Sequence, residues 1–230
     1  MKHYQLIVFD WDGTLMDSTS HIVNCMQQAI KQLALDPLED NAIRHIIGLG
    51  LNEAAQALYP NIDNGTITQL ADTYRQVWLN SPHQTPLFDN AHVLIEQLAT
   101  QDYFLGIATG KSRRGLNKVL KTTELGSFFH ATRCADECHS KPHPQMIEEL
   151  MDHLGVEAKN TLMIGDTEYD LQMAHNAGAD SLGISHGAHD IETLLACQPQ
   201  DVVADLHQAQ QWLNNLYTHN HSMCEDSGQK

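Results

Sequence analysis

The sequence lacks the features that would direct a chain into or across a membrane. None of its apolar runs approaches the roughly 18 residues that a membrane-spanning helix needs. The first run, Leu6–Phe9, is too short for the core of a signal peptide and is followed directly by Asp10. Cysteine is scarce as well. The five cysteines are odd in number and widely scattered, which excludes a disulfide framework and fits a reducing compartment. We therefore expect no membrane partner and a cytoplasmic location.

Basic residues are also few. Lys and Arg number 13 against 29 Asp and Glu, which gives a formal net charge of −16. A chain this acidic repels phosphate backbones at long range, which argues against nucleic acid as a partner. An anionic ligand would need a local concentration of positive charge or a bound metal ion. With 42% apolar and 18% charged residues, the 230-residue chain has the composition of a globular protein, either one large domain or a main domain with a smaller one.

Short apolar segments alternate with helical patterns over much of the chain. This alternation predicts an α/β fold in which helices cover both faces of a parallel sheet. The predicted strands are Gln5–Phe9, Tyr103–Ala108, Thr161–Ile164, Ser181–Ile184 and Val202–Ala204. The helices predicted between and after them are Ser112–Leu120, Pro144–Leu154, Tyr169–Asn176 and Leu206–Tyr217.

One long interval, from about Ser18 to Pro86, breaks the alternation. Apolar residues recur there at spacings of three and four, which indicates helices throughout. The interval therefore predicts a helical insert, residues 18–86, after the first strand. The main domain would comprise residues 1–17 and 87–217. The polar stretch 218–230 predicts a disordered tail.

Acidic and hydroxyl side chains follow three of the predicted strands. Asp10 and Asp12 follow the first strand, Thr109 the second, and Asp166 and Asp170 a third. Taken singly, each has an ordinary explanation, because Asp and Thr are common in turns and at helix starts. Ligands of open parallel sheets, however, bind at the carboxyl ends of the strands. Recurrence at that edge therefore indicates a functional site.

The charge of these residues suggests a chemistry. Clustered carboxylates repel one another unless a cation lies among them, and their oxygens favour a hard ion such as Mg²⁺. Mg²⁺ in turn commonly completes its shell with phosphate oxygens of a substrate. Lys141, directly before a predicted helix, would add a second positive charge for an anionic oxygen. An ionised Asp is also a competent nucleophile that can form an aspartyl-phosphate.

Four segments of the chain resemble, in order, the four motifs of the haloacid dehalogenase-like hydrolase superfamily. The segments are Phe9-Asp10-Trp11-Asp12-Gly13-Thr14-Leu15, Ile107-Ala108-Thr109-Gly110-Lys111, Ser140-Lys141-Pro142 and Gly165-Asp166-Thr167-Glu168-Tyr169-Asp170. The resemblance extends from about Gln5 to Trp212 and implies a Rossmann-like parallel-sheet core with a helical cap inserted after the first strand. Asp17-Ser18 and the turn Gly48-Leu49-Gly50 make the chain most similar to the phosphoglycolate phosphatase-like group, which has a small helical cap.

The resemblance implies a Mg²⁺-dependent phosphatase that hydrolyses a small phosphomonoester through an aspartyl-phosphate. In this interpretation Asp10 attacks phosphorus. Asp12 protonates the leaving oxygen and then activates water, and Lys141 neutralises charge beside Asp10. The partner is then a small-molecule phosphate ester, and the chain is a monomer or a homodimer.

The same resemblance implies the binding residues. Thr109, the N–H of Gly110, and Lys141 would hold the phosphate oxygens. The implied metal ligands are Asp10, Asp12 through its backbone carbonyl, Asp166 and Asp170. For Asp170 two roles remain open: coordination of the metal through water, or support of Lys141.

Rival functions remain on the same fold. A dehalogenase needs no metal, and that branch lacks the second Asp and the acidic metal set that are present here. A phosphomutase tends to have Val where this chain has Thr14, and a pyrophosphatase remains open. A catalytically silent binding protein usually loses one of the chemical positions, whereas all of them are intact here.

The insert would determine which ester is bound, and it contains only three cations, Lys31, Arg44 and Arg75. Arg44 lies four residues before Gly48, so it is the candidate contact for a second anionic group on the substrate. The alternative, an arginine on the surface of a cap helix, is equally compatible with the sequence.

Overall fold

A six-stranded parallel sheet lies at the centre of the structure, a computed structural model that describes residues 3–81 and 85–226. The order of the strands is β3-β2-β1-β4-β5-β6. They are β1 (Leu6–Phe9), β2 (Phe104–Thr109), β3 (Ala131–Cys134), β4 (Thr161–Gly165), β5 (Asp180–Ile184) and β6 (Asp201–Val203). The predicted α/β fold is therefore confirmed.

The central strand, β1, positions the first acidic residues. All four of its residues are buried, because helices cover both faces of the sheet, and this explains the uninterrupted apolar run. Phe9 is paired with Ile107 of β2 and with Ile164 of β4. Asp10 therefore lies level with the carboxyl ends of both neighbouring strands, where Thr109 and Asp166 are found.

A helical insert separates β1 from β2, as predicted. It contains α1 (Thr19–Gln32), α2 (Asp40–His45), α3 (Leu51–Leu58) and α4 (Asn64–Asn80). Its helices share an apolar cluster that includes Met26, Ile43 and Leu70 and, from the main domain, Ala188. The chain leaves and re-enters the main domain side by side, since the N–H of Asp17 donates to Pro86 and that of Phe88 to Leu15. We call this insert the cap. Residues 82–84, which fall in the predicted cap, lie outside the described residues.

The remaining helices cover the sheet. They are α5 (Ala91–Ala99), α6 (Arg113–Thr123), α7 (Gln145–Leu154), α8 (Glu168–Asn176), α9 (Ile191–Ala196) and α10 (Leu206–Asp226). Over the described residues, no helix is both long and apolar enough to cross a membrane.

The last helix is longer than the sequence analysis predicts. The prediction ends it at Tyr217 and places a disordered tail over 218–230, whereas α10 continues to Asp226. Apolar residues thin out after Tyr217, but neither Pro nor Gly occurs before Gly228, so nothing in the chain forces the helix to end earlier. Residues 227–230 lie outside the described residues.

Candidate active site

A buried lysine joins two carboxylates at the carboxyl edge of the sheet. The ammonium of Lys141 donates to Oδ1 of Asp10 at 2.7 Å and to Oδ1 of Asp170 at 2.6 Å. All three residues are buried. Burial alone would lower the pKa of Lys141, but the two carboxylates raise it above its ordinary value. Lys141 is therefore held as a cation beside Asp10.

Asp170 is positioned by the start of α8. Its Oδ2 accepts hydrogen bonds from the backbone N–H and the hydroxyl of Thr167, at 3.1 and 2.7 Å. In return, Thr167 accepts from the backbone N–H of Asp170, which completes a capping box. Its other oxygen contacts Lys141, which agrees with a supporting role, and coordination of a metal ion by Asp170 stays a prediction.

Asp166 follows β4 and is fixed from two sides. Its Oδ1 accepts from the hydroxyl of Thr14 at 2.6 Å, and its Oδ2 accepts from the N–H of Ala188 at 2.7 Å. Glycines make this approach possible: a Cβ atom at Gly13 or at Gly187 would lie only 2.2 or 2.1 Å from Oδ2 of Asp166. Thr14 is thus a structural support of the acidic cluster.

The cluster has the composition of a site for a hard divalent cation. Asp10, Asp166 and Asp170 each offer a carboxylate oxygen, and these atoms lie within 4.8 Å of one another. Oδ2 of Asp10 is buried and has no hydrogen-bond partner among the described residues. A buried acceptor without a partner is costly, and an all-oxygen donor set suits Mg²⁺. These residues therefore fit the metal that the family resemblance implies.

The titration of the cluster follows from its burial. Burial raises the pKa of Asp10 to about 7, against the opposing effect of the Lys141 ammonium. Burial, together with the charges of Asp10 and Asp170, raises the pKa of Asp166 well above its usual range. Both carboxyls are thus poorly stabilised as anions by the protein alone, which is the situation a divalent cation corrects.

We expect stabilisation by Mg²⁺ to increase with pH. A carboxyl whose pKa is raised in the folded state holds a proton that the unfolded chain has released above about pH 4. Without metal, the stability contributed by Asp10 is therefore lost as pH rises from about 4 to about 7. Mg²⁺ requires the carboxylate form, so its effect on the melting temperature should be small at acidic pH and large at mildly alkaline pH.

Thermal unfolding with and without Mg²⁺, followed from acidic to mildly alkaline pH, tests this expectation. Asp166→Asn should abolish the shift. Asp63→Asn, at the exposed start of α4, should retain it and serves as the matched control. An equal Mg²⁺ shift at both ends of the pH range would contradict the assignment of the metal site.

Asp12 lies on the cap side of Asp10, bound to a residue to which the sequence analysis assigns no role. Lys111 donates to Oδ1 and Oδ2 of Asp12, at 3.0 and 2.8 Å, and Ser18 donates to Oδ1 at 2.7 Å. The Asp12 carboxylate thus has hydrogen-bond partners that the Asp10–Asp166–Asp170 cluster does not share. This agrees with the roles that the family resemblance implies for Asp12, in which the side chain transfers a proton and only the backbone carbonyl binds the metal.

The cap contacts the end of β2 directly at Gly110. A Cβ atom there would lie 2.6 Å from the carbonyl oxygen of Leu49 and 2.7 Å from that of Gly48. The same cap turn is tied to the main domain by Gly50, whose N–H donates to Oγ of Ser140 at 2.7 Å. Thr109 is buried, with its hydroxyl accepting from the N–H of Lys111 at 3.2 Å. The cap therefore covers the position predicted for the phosphate.

Of the predicted site residues, the structure brings Asp10, Lys141, Asp166 and Asp170 into one cluster, with Thr109, Gly110 and Asp12 at neighbouring strand ends. Arg44 lies apart from these contacts, half-buried in the last turn of α2.

The supporting residues of the site were less visible in the sequence. No pattern in the sequence alone predicts the contacts that Ala188 and Lys111 make in the site. Only Thr167 has a local signal, the capping-box spacing from Thr167 to Asp170.

Comparison with known families agrees with these motifs. The family model described as haloacid dehalogenase-like hydrolase matches residues 7–184. The chain is 36% identical over 204 residues to the probable phosphatase IndB of Dickeya dadantii, covering 86% of this chain and 88% of that protein. It is 28% identical over 197 residues to the pyrophosphatase PpaX of Anoxybacillus flavithermus, covering 84% and 89% of the two chains.

Solved structures share the fold. A predicted phosphoglycolate phosphatase from Haemophilus somnus superposes with a TM-score of 0.82 at 22% identity, covering 93% of this chain and 99% of the other. A hydrolase from Pseudomonas syringae gives a TM-score of 0.83 at 22% identity, covering 94% and 99%. At these identities the likeness concerns the fold alone.

Proposed function

The chain belongs to the haloacid dehalogenase-like hydrolase family, and from this premise we propose that it is a Mg²⁺-dependent phosphatase that hydrolyses a small phosphomonoester through an aspartyl-phosphate on Asp10. The proposal rests mainly on the contacts of the two carboxylate oxygens of Asp10. One of its oxygens is held by Lys141, while the other is buried and has no partner among the described residues. A carboxylate that Lys141 orients, with a second oxygen that no protein donor occupies, can serve both as the nucleophile and as a metal ligand.

In the first half-reaction Asp10 attacks phosphorus. A bond forms between a carboxylate oxygen of Asp10 and phosphorus as the bond from phosphorus to the ester oxygen breaks. Asp12 donates its proton to the departing oxygen, which leaves as an alcohol. The cation of Lys141, 2.7 Å from Asp10, stabilises the negative charge that gathers on the transferred group.

In the second half-reaction Asp12 acts as the base. It removes a proton from water, whose oxygen attacks the phosphorus of the aspartyl-phosphate, and the Asp10 carboxylate and inorganic phosphate are released. Thr109 and the N–H of Gly110 would hold the phosphate oxygens during both steps. The carbonyls of the cap turn, packed against Gly110, would limit the access of bulk water.

Asp10 and Asp166, with Asp170 beside them and the carbonyl of Asp12, would hold Mg²⁺. When bound, Mg²⁺ supplies neutralising charge for the carboxylates and for the phosphate oxygens. The donor groups are oxygens throughout, which agrees with this choice of metal.

Chelation should abolish hydrolysis of p-nitrophenyl phosphate, and Mg²⁺ should restore it. Ca²⁺ should restore it less well, because its larger and more variable shell misplaces the phosphate. The measurement is the rate of nitrophenol release by purified protein after dialysis against a chelator, with each metal added back. Full activity in excess chelator would contradict the proposal.

The physiological ester depends on the cap. A small phosphomonoester similar to phosphoglycolate is our first candidate, with Arg44 proposed as a contact for its second anionic group. A pyrophosphatase is the second candidate, supported by the 28% identity to PpaX. Rates on a panel of phosphate esters and pyrophosphate, compared between the parent and Arg44→Gln, distinguish these candidates.

A further inference from the structure

Lys111 is a nearly buried cation, set beside Asp12 at the junction of cap and main domain. Its Nζ lies within 3.0 Å of both carboxylate oxygens of Asp12, and the side chain retains 10% exposure. It follows β2, whereas its partner follows β1, 99 residues earlier. Lys111 is distinct from Lys141, whose ammonium contacts Asp10 and Asp170.

The cap provides Lys111 with a second contact. Nζ lies 5.0 Å from the ring centroid of Trp78 in α4, a distance typical of a cation–π interaction. Trp78 is itself packed against His21, with ring centroids 4.4 Å apart, and against Tyr74, at 6.1 Å. Burial, with a smaller contribution from the charge of Asp12, raises the pKa of Tyr74 well above its usual value. The ammonium is thus held between an aromatic cap surface and a carboxylate.

These contacts compete with the proton transfer that is proposed for Asp12. To exchange a proton with the ester oxygen, Asp12 must present a carboxyl oxygen to the substrate. In the structure Lys111 binds both of its oxygens, and Ser18 binds one of them as well. These donors compete with the ester oxygen for the lone pairs of the Asp12 carboxyl group, so release of one oxygen by Lys111 favours the proton transfer. A nearly buried ammonium that loses its carboxylate partner needs another anion, because its attraction to an aromatic ring is weaker than a charge pair.

We propose that Lys111 is a positioning and specificity-determining residue that exchanges Asp12 for an anionic group on the substrate's leaving group. The proposal rests on the function proposed above, in which Asp12 faces the ester oxygen. A carboxylate or a second phosphate close to that oxygen would meet the ammonium under Trp78. The exchange frees an oxygen of Asp12 for the proton transfer, whereas an uncharged leaving group leaves the Lys111–Asp12 pair closed. The favoured substrates are thus phosphate compounds whose leaving group is itself an anion.

Binding of phosphonates that cannot be hydrolysed tests the anion contact without requiring catalysis. Phosphonopropionate offers a carboxylate tail, methylenediphosphonate a second phosphate, and butylphosphonate an uncharged tail. The wild-type protein with Mg²⁺ should bind at least one of the two charged probes more tightly than butylphosphonate, by calorimetry. Lys111→Met should weaken that probe about 10- to 100-fold, which is the usual effect of losing one hydrogen bond between charged groups, and should leave butylphosphonate nearly unchanged.

Kinetics test the release of Asp12. Lys111→Met should lower kcat/KM for phosphoglycolate or pyrophosphate, whichever is the substrate. It should keep or raise kcat for phosphoglycolamide, the uncharged counterpart of phosphoglycolate, because Lys111 no longer competes for the oxygens of Asp12. Lys111→Arg should retain the preference for the charged leaving group. Lys121→Met, an exposed lysine in the last turn of α6, is the matched control and should change neither value.

Two results would overturn the proposal. One is equal loss of activity on charged and uncharged leaving groups in Lys111→Met, which would make Lys111 only a structural support of Asp12. The other is binding of both charged probes no tighter than butylphosphonate by the wild-type protein. If the wild-type protein hydrolyses none of the esters, the proposed function is wrong. The binding preference among the phosphonates still shows whether Lys111 binds an anionic group. Preference for phosphonopropionate indicates a carboxylate partner, and preference for methylenediphosphonate a phosphate partner.

Discussion

Replacing Lys141 with Ala should lower kcat by roughly 10²–10³-fold, the usual effect of removing one preorganised donor to a transition-state oxyanion. Lys141 is buried, and its ammonium lies 2.7 Å from Asp10, so it acts where charge develops and without competition from water. The measurement is steady-state hydrolysis of p-nitrophenyl phosphate at saturating Mg²⁺. The loss should be in kcat as well as in kcat/KM, because the lysine stabilises the transition state and not the bound ester alone.

The control for Lys141→Ala must separate catalysis from folding. Removing one partner of a buried ion pair typically costs about 3–5 kcal/mol, and here Asp10 and Asp170 would both be left without it. Far-ultraviolet circular dichroism and thermal unfolding with Mg²⁺ show whether the variant is folded at the assay temperature. Lys141→Met, which keeps the length of the side chain, provides a second variant. Lys159→Ala, at an exposed lysine, should leave the rate unchanged. Turnover within a few-fold of the parent in the folded Lys141 variants would make Lys141 only a structural residue.

Asp10→Asn should abolish hydrolysis of every substrate, whereas Asp12→Asn should act selectively. An amide at Asp10 cannot form the phosphoryl-enzyme. Asp12 supplies a proton to the leaving oxygen, and nitrophenolate leaves well without one. Transfer from p-nitrophenyl phosphate should therefore survive Asp12→Asn far better than transfer from an alkyl phosphate.

Rapid-mixing kinetics distinguish the two aspartates further. With Asp12→Asn, the missing base slows attack by water, so we expect a burst of nitrophenol of about one per active site and then a slow steady rate. Asn keeps a carbonyl oxygen that can accept from Lys111 or Ser18, so the local fold should persist. Equal damage to both substrate types, with no burst, would mean that Asp12 serves only in the turn or at the metal.

The central strands and the aspartates at their carboxyl ends could be predicted because each depends on residues that are neighbours in the sequence. Burial on both faces produces the uninterrupted apolar run of β1, and Asp10 follows it directly. The apolar pattern does not predict the half-buried strand β3, since Ala131–Cys134 at the sheet edge contains no apolar run. Helix α5 is not predicted either. Asn90, the residue before it, is of a type common at helix starts, but in the structure it has a left-handed backbone and makes no side-chain cap.

The supports of the site depend on distant pairs and could not be predicted from local patterns. The hydroxyl of Thr14 reaches Asp166 across 152 positions, and Lys111 reaches Asp12 across 99. Lys111 also contacts the ring of Trp78. This contact depends on how the cap packs against the main domain. A sequence pattern identifies Lys111 as part of a motif, but its partner becomes visible only in three dimensions.

Trapping of the phosphoryl group on Asp10 tests the central claim most directly. The Asp12→Asn variant is mixed with p-nitrophenyl phosphate and Mg²⁺, quenched in acid during the burst and digested, and the peptides are analysed by mass spectrometry. We predict one added phosphoryl group on the peptide that contains Asp10, and none when Asp10 is also Asn. A burst without phosphate on that peptide, or with phosphate on another residue, would contradict the account.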